Sequence, residues 1–548
     1  MKVQLKRCAM AAVILLTAVS VARTQTNELG KVDFPTSGSE KAQSHFLRGL
    51  AALHSFWYEE ALEAFRESTR VEPDFMMGYW GEAMAHNHPL WSEQDTSTAR
   101  EVIARIKDTP KLTARERAYL EAVKVLYGPG DKTERDAAYS AAMEKIYREY
   151  PDDLDAAAFY SLSLLGMVRM EEKSYRLQAR AGAIALEVYQ KNPNHPGAAH
   201  YIIHAFDDPE HAILALPAAR RYASIAPEAH HARHMPSHIF LQLGMWPEAA
   251  ASNESAWASS EAWMRRKNLS TSVRDYHSLH WLLYVYLQQG RYRKAEELLS
   301  LMKKTMTETT YENKLRPGYY ENNYANMAAA FIVETERWDL TSSLLPPNAS
   351  SGSSSSGSHG SHGAAASPPV EAIMRTSNRG SRLPIFINGL AAAMKNAPLD
   401  RIKISSGNGS APDSPGIAEL EVHALAASVR GEHEKAIRLM SEAVKMEEQR
   451  GAPSGPPGLI KPAHELFGEI LMRAGKHEVA AEQFKTALLR QPNRARSLLG
   501  LARVMAKSGK ENESAALYAK LVEQWKDADA DLAELKEAQE YLKKRSAK

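Results

Sequence analysis

Cysteine is almost missing from this sequence: of 548 residues only Cys8 carries a thiol. One thiol closes no intrachain disulfide, so the fold must rest on packing. An excess of charge is missing too. The formal net charge is +2, and no block or stripe of Lys and Arg is present, which excludes the counterion-displacing face of a nucleic-acid binder. Long hydrophobic runs are confined to the start, where Lys2, Lys6 and Arg7 introduce an apolar stretch from Cys8 to Val21 that ends in the small residues Ser20-Val21-Ala22. The run is about 15 residues, short of the roughly 20 that span a bilayer. Its basic, apolar, small order is that of a secretory signal. Residues 1–22 are therefore expected to be removed on export to the periplasm or beyond, leaving a chain with no membrane span and no thiol chemistry. That chain is nearly neutral, with 65 Lys+Arg against 66 Asp+Glu. Familiar catalytic signatures are also missing: there is no HExxH, GxSxG, GxxxxGK or GxGxxG. Alternating Val/Ile/Thr runs and Asn-Gly hairpins are scarce, which leaves little room for sheet.

What the chain does have is a repeat. In the segment from Phe467 to Pro492, Gly468 lets two helices approach and Gly475 ends the first of them. Ala480, Phe484 and Ala487 form a small-large-small seam on the second, and Pro492 stops it. From Gly475 to the next turn glycine, Gly509, is 34 residues, the tetratricopeptide period, and these residues resemble its consensus. The template recurs at Gly49, Ala61, Phe65 and Pro73 with Phe56 in the turn, at Gly244 with Trp246 and Ala249, at Gly290 with Tyr292 and Ala295, and at Gly431 with Ala436. The expected fold is all-α, an α-solenoid of tetratricopeptide-like helix-turn-helix units interrupted by a Ser/Gly-rich loop. The expected organisation is a signal peptide over 1–22, an N-terminal solenoid over 30–345, a low-complexity linker over 346–415 with one helix at Ile385 to Met394, and C-terminal repeats over 416–548.

Histidine is the anomaly. Ten of the twenty lie between His195 and His280. Counted back from the turn at Gly244, His231, His234 and His238 stand at minus thirteen, ten and six; counted from Gly290, His277 and His280 stand at minus thirteen and ten. His200 and His204 precede His234 and His238 by 34 residues, and Asn323 and Asn326 hold the corresponding places before the turn at Glu336-Arg-Trp338. Stacked repeats bring equivalent positions together, so these nine residues are expected to line one concave groove that takes a protein, a peptide or a small polar ligand. The alternative is a metal or haem site. His200, His204, His234 and His238, with Asp208 as oxygen donor or base, suit a divalent transition metal such as zinc, copper or iron, and a metal-dependent hydrolase follows from the same set.

Two stretches go beyond generic repeats. The segment His234-Met-Pro-Ser-His238-Ile-Phe-Leu-Gln-Leu-Gly244-Met-Trp246 and the segment Gly81-Glu-Ala-Met-Ala-His86-Asn-His88-Pro89 resemble an exported bacterial tetratricopeptide-repeat family of uncharacterised function, as do Pro462-Ala-His464-Glu465 and Gln491-Pro492-Asn493-Arg494. The resemblance covers most of the chain outside Ser350 to Pro369 and Gly451 to Leu459, and it implies secretion and an α-solenoid. Weighed together, these features lead to a non-enzymatic binding scaffold outside the cytoplasm, with the metalloprotein as the second reading.

Overall fold

The computed structural model describes residues 28–168, 174–311, 316–345, 370–399, 416–451, 453–458 and 460–547, and the side chains of these except 370–381. The signal expected at 1–22 and the loops at Ser350 to Pro369 and Ser405 to Pro415 fall outside them. The described chain is an α-solenoid of antiparallel helix pairs, such as Glu40–His54 with Tyr58–Val71, Tyr276–Gln288 with Tyr292–Glu308, and Ala463–Arg473 with His477–Arg490.

The turn inside each pair explains why the sequence folds this way. Gly244, Gly290, Gly431, Gly475 and Gly509 all have positive φ, and each stands two residues before the second helix. Backbone bonds such as Met245 N–H to Phe240 O (2.7 Å) and Arg291 N–H to Tyr286 O (2.9 Å) close the preceding helix in a Schellman motif. Phe56 and Glu336 hold the same conformation at the two turns that lack glycine. Within a pair, Gly468 makes room for a ring: a Cβ there would stand 2.8 Å from Phe484, which is wedged between this helix and the next unit's Gly500.

Between the third and fourth helices the chain departs from helix-only expectation. After Met76–Met84, Asn87–His88 pairs antiparallel with Glu93–Gln94, so His88 sits on a short hairpin. Pro89, which has no N–H to offer, opens the turn that joins the two strands.

The apolar core ignores the Ser/Gly-rich segment. One cluster runs from Leu29 to Trp263, and a second takes Leu283 and Phe331 from one side of that segment and Leu425, Phe467 and Phe484 from the other. Phe386, Ile387 and Leu390, from the helix Val370–Met394, belong to this second cluster. The last repeats fold back onto the turns of earlier ones. Trp246 Nε1 donates to Asn493 O at 2.9 Å, and Trp525 Nε1 donates to Gln288 O at 3.1 Å. At this joint Arg494 is fully buried, 2.6 Å from a Glu334 oxygen and 2.7 Å from a Glu465 oxygen, and it donates to Tyr284 Oη at 2.9 Å. Breaking a buried pair leaves uncompensated charge, so Arg494→Ala, which takes the cation from Glu334 and leaves Glu465 with only Lys461 and Ser497, is expected to cost about 3–5 kcal/mol. Urea unfolding of the variant checks this; a loss below about 1 kcal/mol would show that the joint is not held by this cation.

Candidate metal centre

Three stretches of inner helix supply the imidazoles. Pro196–Ala205 starts at His195, whose Nδ1 accepts from Ala198 N at 3.2 Å, and its periodicity puts His200 and His204 on one face. His230–His234 and Pro236–Gln242 are joined through Met235 at φ −53° and ψ −36°, so Pro236 does not break the spiral and His231, His234 and His238 follow one another turn by turn. Tyr276–Gln288 is capped by Asp275, which accepts from Ser278 N at 3.0 Å, and carries His277 in its first turn.

These residues gather into two triads. His200 Nε2 lies 3.1 Å from His204 Nε2 and 3.2 Å from His231 Nε2. His234 Nε2 lies 3.2 Å from His238 Nε2, and His277 places a ring nitrogen with them; within each triad the candidate ligand atoms are all within 4.8 Å of one another. The triads are repeat copies of each other. Each takes the minus-ten and minus-six residues of one inner helix and the minus-thirteen residue of the next. They adjoin, with ring centres of His204 and His238 5.8 Å apart and those of His231 and His234 5.9 Å apart.

Hydrogen bonds on the far side of the rings fix their tautomers. His200 Nδ1 is 2.7 Å from His54 O, a carbonyl, so it carries the proton and Nε2 presents a lone pair. His238 Nδ1 donates to the Asp207 carboxylate at 2.6 Å. His234 Nδ1 donates to Asn253 Oδ1 at 2.7 Å, and the amide is oriented by its own bond from Nδ2 to Ala249 O at 2.8 Å. Burial keeps the rings neutral: desolvation pushes His200 down to about 3 and His234 down to about 4, and His204, His231 and His277 well below the usual imidazole range. Aromatic rings enclose both sets, Phe56 at 4.3 Å from His200 and Trp281 at 4.1 Å from His238.

The other expected residues stand elsewhere. His280 belongs to neither triad, because the positions that would complete a third copy are Tyr284 and Asn323. Asn323 and Asn326 turn their amides back to Tyr319 O (2.8 Å) and Asn322 O (2.7 Å) of their own helix. Asp208 is spent on a cap: its oxygens accept from Glu210 N, from His211 N and Nδ1, and from Tyr175 Oη. Its neighbour Asp207 is the carboxylate that reaches the centre. Three of the nine expected groove residues are closed off: His200 and His234 are 0% exposed and His238 is 7% exposed, while His204, His231, His277, His280, Asn323 and Asn326 stay partly exposed. The physical reason is the returning C-terminal half: Gln242 Nε2 donates to Pro453 O at 2.8 Å, and Gly455 lies so close to Trp281 that a Cβ would stand 2.5 Å from the indole.

A third cluster escaped sequence reasoning. His54 Nε2 and His195 Nε2 are 2.8 and 3.4 Å from Asp155 Oδ1, with all three residues fully buried, and His54 Nδ1 meets Tyr201 Oη at 2.8 Å. His195 Nδ1 is already an acceptor at the helix cap, so its Nε2 carries the proton. The two imidazoles thus face one carboxylate that both hold well below the ordinary carboxylate range against the opposing effect of its burial. Because His54 O anchors His200, this network supports the first triad.

The architecture also shows in comparison with known proteins. A tetratricopeptide-repeat model matches residues 42–75, the first helix pair. The fold is a tetratricopeptide-type solenoid. Such repeats serve generally in binding other proteins. Among solved structures the solenoid is similar to the APC/C hetero-tetramer Cut9-Hcn1, at 10% identity over 92% of this chain and 76% of that one, with a TM-score of 0.32. It is also similar to the human IFIT1 dimer with m7Gppp-AAAA, at 13% identity over 94% and 91%, with a TM-score of 0.33. At these values the likeness carries no argument about ligands. No curated protein sequence matches the chain.

Replacing Asp155 by Ala removes the hydrogen-bond partner of the buried His54 Nε2 and the 3.4 Å ion-pair contact of His195, and an unmet buried donor costs about 1–3 kcal/mol. Asp155→Ala is expected to lower the thermal midpoint by several degrees, read by circular dichroism; an unchanged midpoint would deny the cluster its supporting role.

Proposed function

We propose that this solenoid is a metal-binding protein that holds two transition-metal ions, one on His200, His204 and His231 and the other on His234, His238 and His277. One observation carries the reading. In the second triad His234 and His238 have both given their Nδ1 protons to outer acceptors, yet their Nε2 atoms face each other at 3.2 Å. Two lone pairs at that distance repel unless a cation lies between them. A proton is shared by two nitrogens and not by three, whereas a metal accepts three. At a metal–nitrogen distance of about 2.0–2.1 Å, neighbouring ligand nitrogens stand roughly 2.9–3.4 Å apart, and the pairs His200–His204, His200–His231 and His234–His238, at 3.1, 3.2 and 3.2 Å, fall in that range. Asp207, Asn253 and the His54 carbonyl act as the outer acceptors that orient metal-bound imidazoles. Imidazole-only donor sets favour zinc, copper, nickel or iron over magnesium or calcium.

The burial of His200, His234 and His238 speaks against a peptide read directly by these three, and Asp208, engaged in its cap, does not serve as the base of a hydrolase. The basic and apolar start at 1–22 supports export to the periplasm or outside the cell, where the metal would be acquired; detection of the chain truncated near Ala22 in the extracytoplasmic fraction tests that part.

Elemental analysis of untagged full-length protein, loaded with a divalent transition metal and desalted, is expected to give about two ions per chain. His200→Ala and His234→Ala are each expected to lower this to about one with helical circular dichroism retained. Less than about 0.2 ion per chain in the parent protein would end the proposal. Asp207→Asn is expected to weaken the second site by about 10–100-fold, measured by competition with a chelator; equal affinity would show that the Asp207 contact does not tune it.

A further inference from the structure

The two triads are neighbours built alike, which points to ions that work as a pair. We infer that they hold two copper ions that bind dioxygen between them. This rests on the two-ion reading above and adds the identity of the metal and of its ligand.

The donor chemistry selects the metal. All six ligand residues are histidines, so the donors themselves bring no carboxylate or thiolate charge to offset that of the ion, and the Asp207 carboxylate stands one bond behind His238 at 2.6 Å. The site is largely interior, with His200 and His234 0% exposed and His204, His231 and His277 partly exposed. Desolvation cost grows with the square of the charge, so a doubly charged ion is penalised about four times as heavily as a singly charged one. Cuprous copper is singly charged, soft and content with three imidazole nitrogens; zinc is always doubly charged and its protein sites are almost always four-coordinate.

The same electrostatics selects the ligand. Two cuprous ions add a charge of plus two to the pocket. If each gives one electron to a dioxygen molecule, both become cupric and the dioxygen becomes peroxide, a dianion. The peroxide bridges the metals, two copper–oxygen bonds form, no proton is needed, and the added charge remains plus two. A buried site that changes redox state without changing its net charge avoids a new desolvation cost. A single ion on either triad has no such balance. The adjoining rings, His204 against His238 and His231 against His234, bring the two sites side by side.

On the outer side Trp91 lies 6.1 Å from His231, and Arg316 holds Glu93 of the same hairpin at 2.7 Å, covering the first triad from solvent.

The test uses the untagged full-length chain, loaded anaerobically with cuprous ion, desalted and then exposed to oxygen. The expected result is two coppers per chain, one dioxygen taken up per two coppers, and no cupric signal in electron paramagnetic resonance, because the two unpaired electrons couple through the bridge. His277→Ala and, separately, His231→Ala remove a ligand from one triad each; either is expected to leave about one copper per chain with a visible cupric signal after oxidation. Two bound coppers with no oxygen uptake, or with the full signal of isolated cupric ions, would overturn the pair and leave the two-ion reading standing. Retention of two zinc ions with no retention of copper would overturn the copper assignment alone. Retention of neither metal would overturn both readings.

Discussion

Two imidazole nitrogens 3.2 Å apart, each with its proton already donated to an acceptor behind the ring, repel one another until a cation separates them. That constraint governs the middle of this molecule. The outer bonds, from His200 to His54 O, from His238 to Asp207 and from His234 to Asn253, turn lone pairs inward. Desolvation then keeps His200 and His234 neutral and ready to act as ligands. The surroundings are arranged to keep it so: Phe56 and Trp281 exclude water, and the strand pair bearing Trp91 covers one side.

The solenoid supplies this arrangement by repetition. A tetratricopeptide array stacks like helices in register, and a residue type placed at the same offsets in successive units becomes a cluster in space. Here the cluster is made twice because the unit is used twice, and it stops where the next unit offers Tyr284 and Asn323. Tyr284 serves the fold instead, as a partner of the buried Arg494. The returning C-terminal repeats, held at that cation, close over the inner face that a simple solenoid leaves open. A scaffold commonly used to bind partners on its concave side thereby gains an interior.

Much of this was legible in the sequence, and the misses have physical causes. Turn glycines announce themselves because few other residues accept positive φ, and even Phe56 and Glu336 were found from spacing alone. The histidine ladder was legible for the same reason. Its grouping was not. The 34-residue spacing pairs His200 with His234, but the contact is with His231, three residues earlier, because neighbouring inner helices are offset along their axes by roughly 4.5 Å. Asp208 looked as suitable as Asp207, and which of two adjacent carboxylates turns inward depends on the helix cap that captures the other. The His54–Asp155–His195 cluster joins residues from three units with no shared offset, so no periodicity reveals it. The closure of the groove depends on contacts such as Gly455 on Trp281, between residues far apart in sequence.

The most direct trial of the central claim is an anomalous difference map from crystals of the full-length protein loaded with a transition metal, recorded at that metal's absorption edge. Two strong interior peaks are predicted, each about 2.0–2.1 Å from three imidazole nitrogens, one among His200, His204 and His231 and the other among His234, His238 and His277. Peaks only at the surface, or an interior with none, would contradict the account.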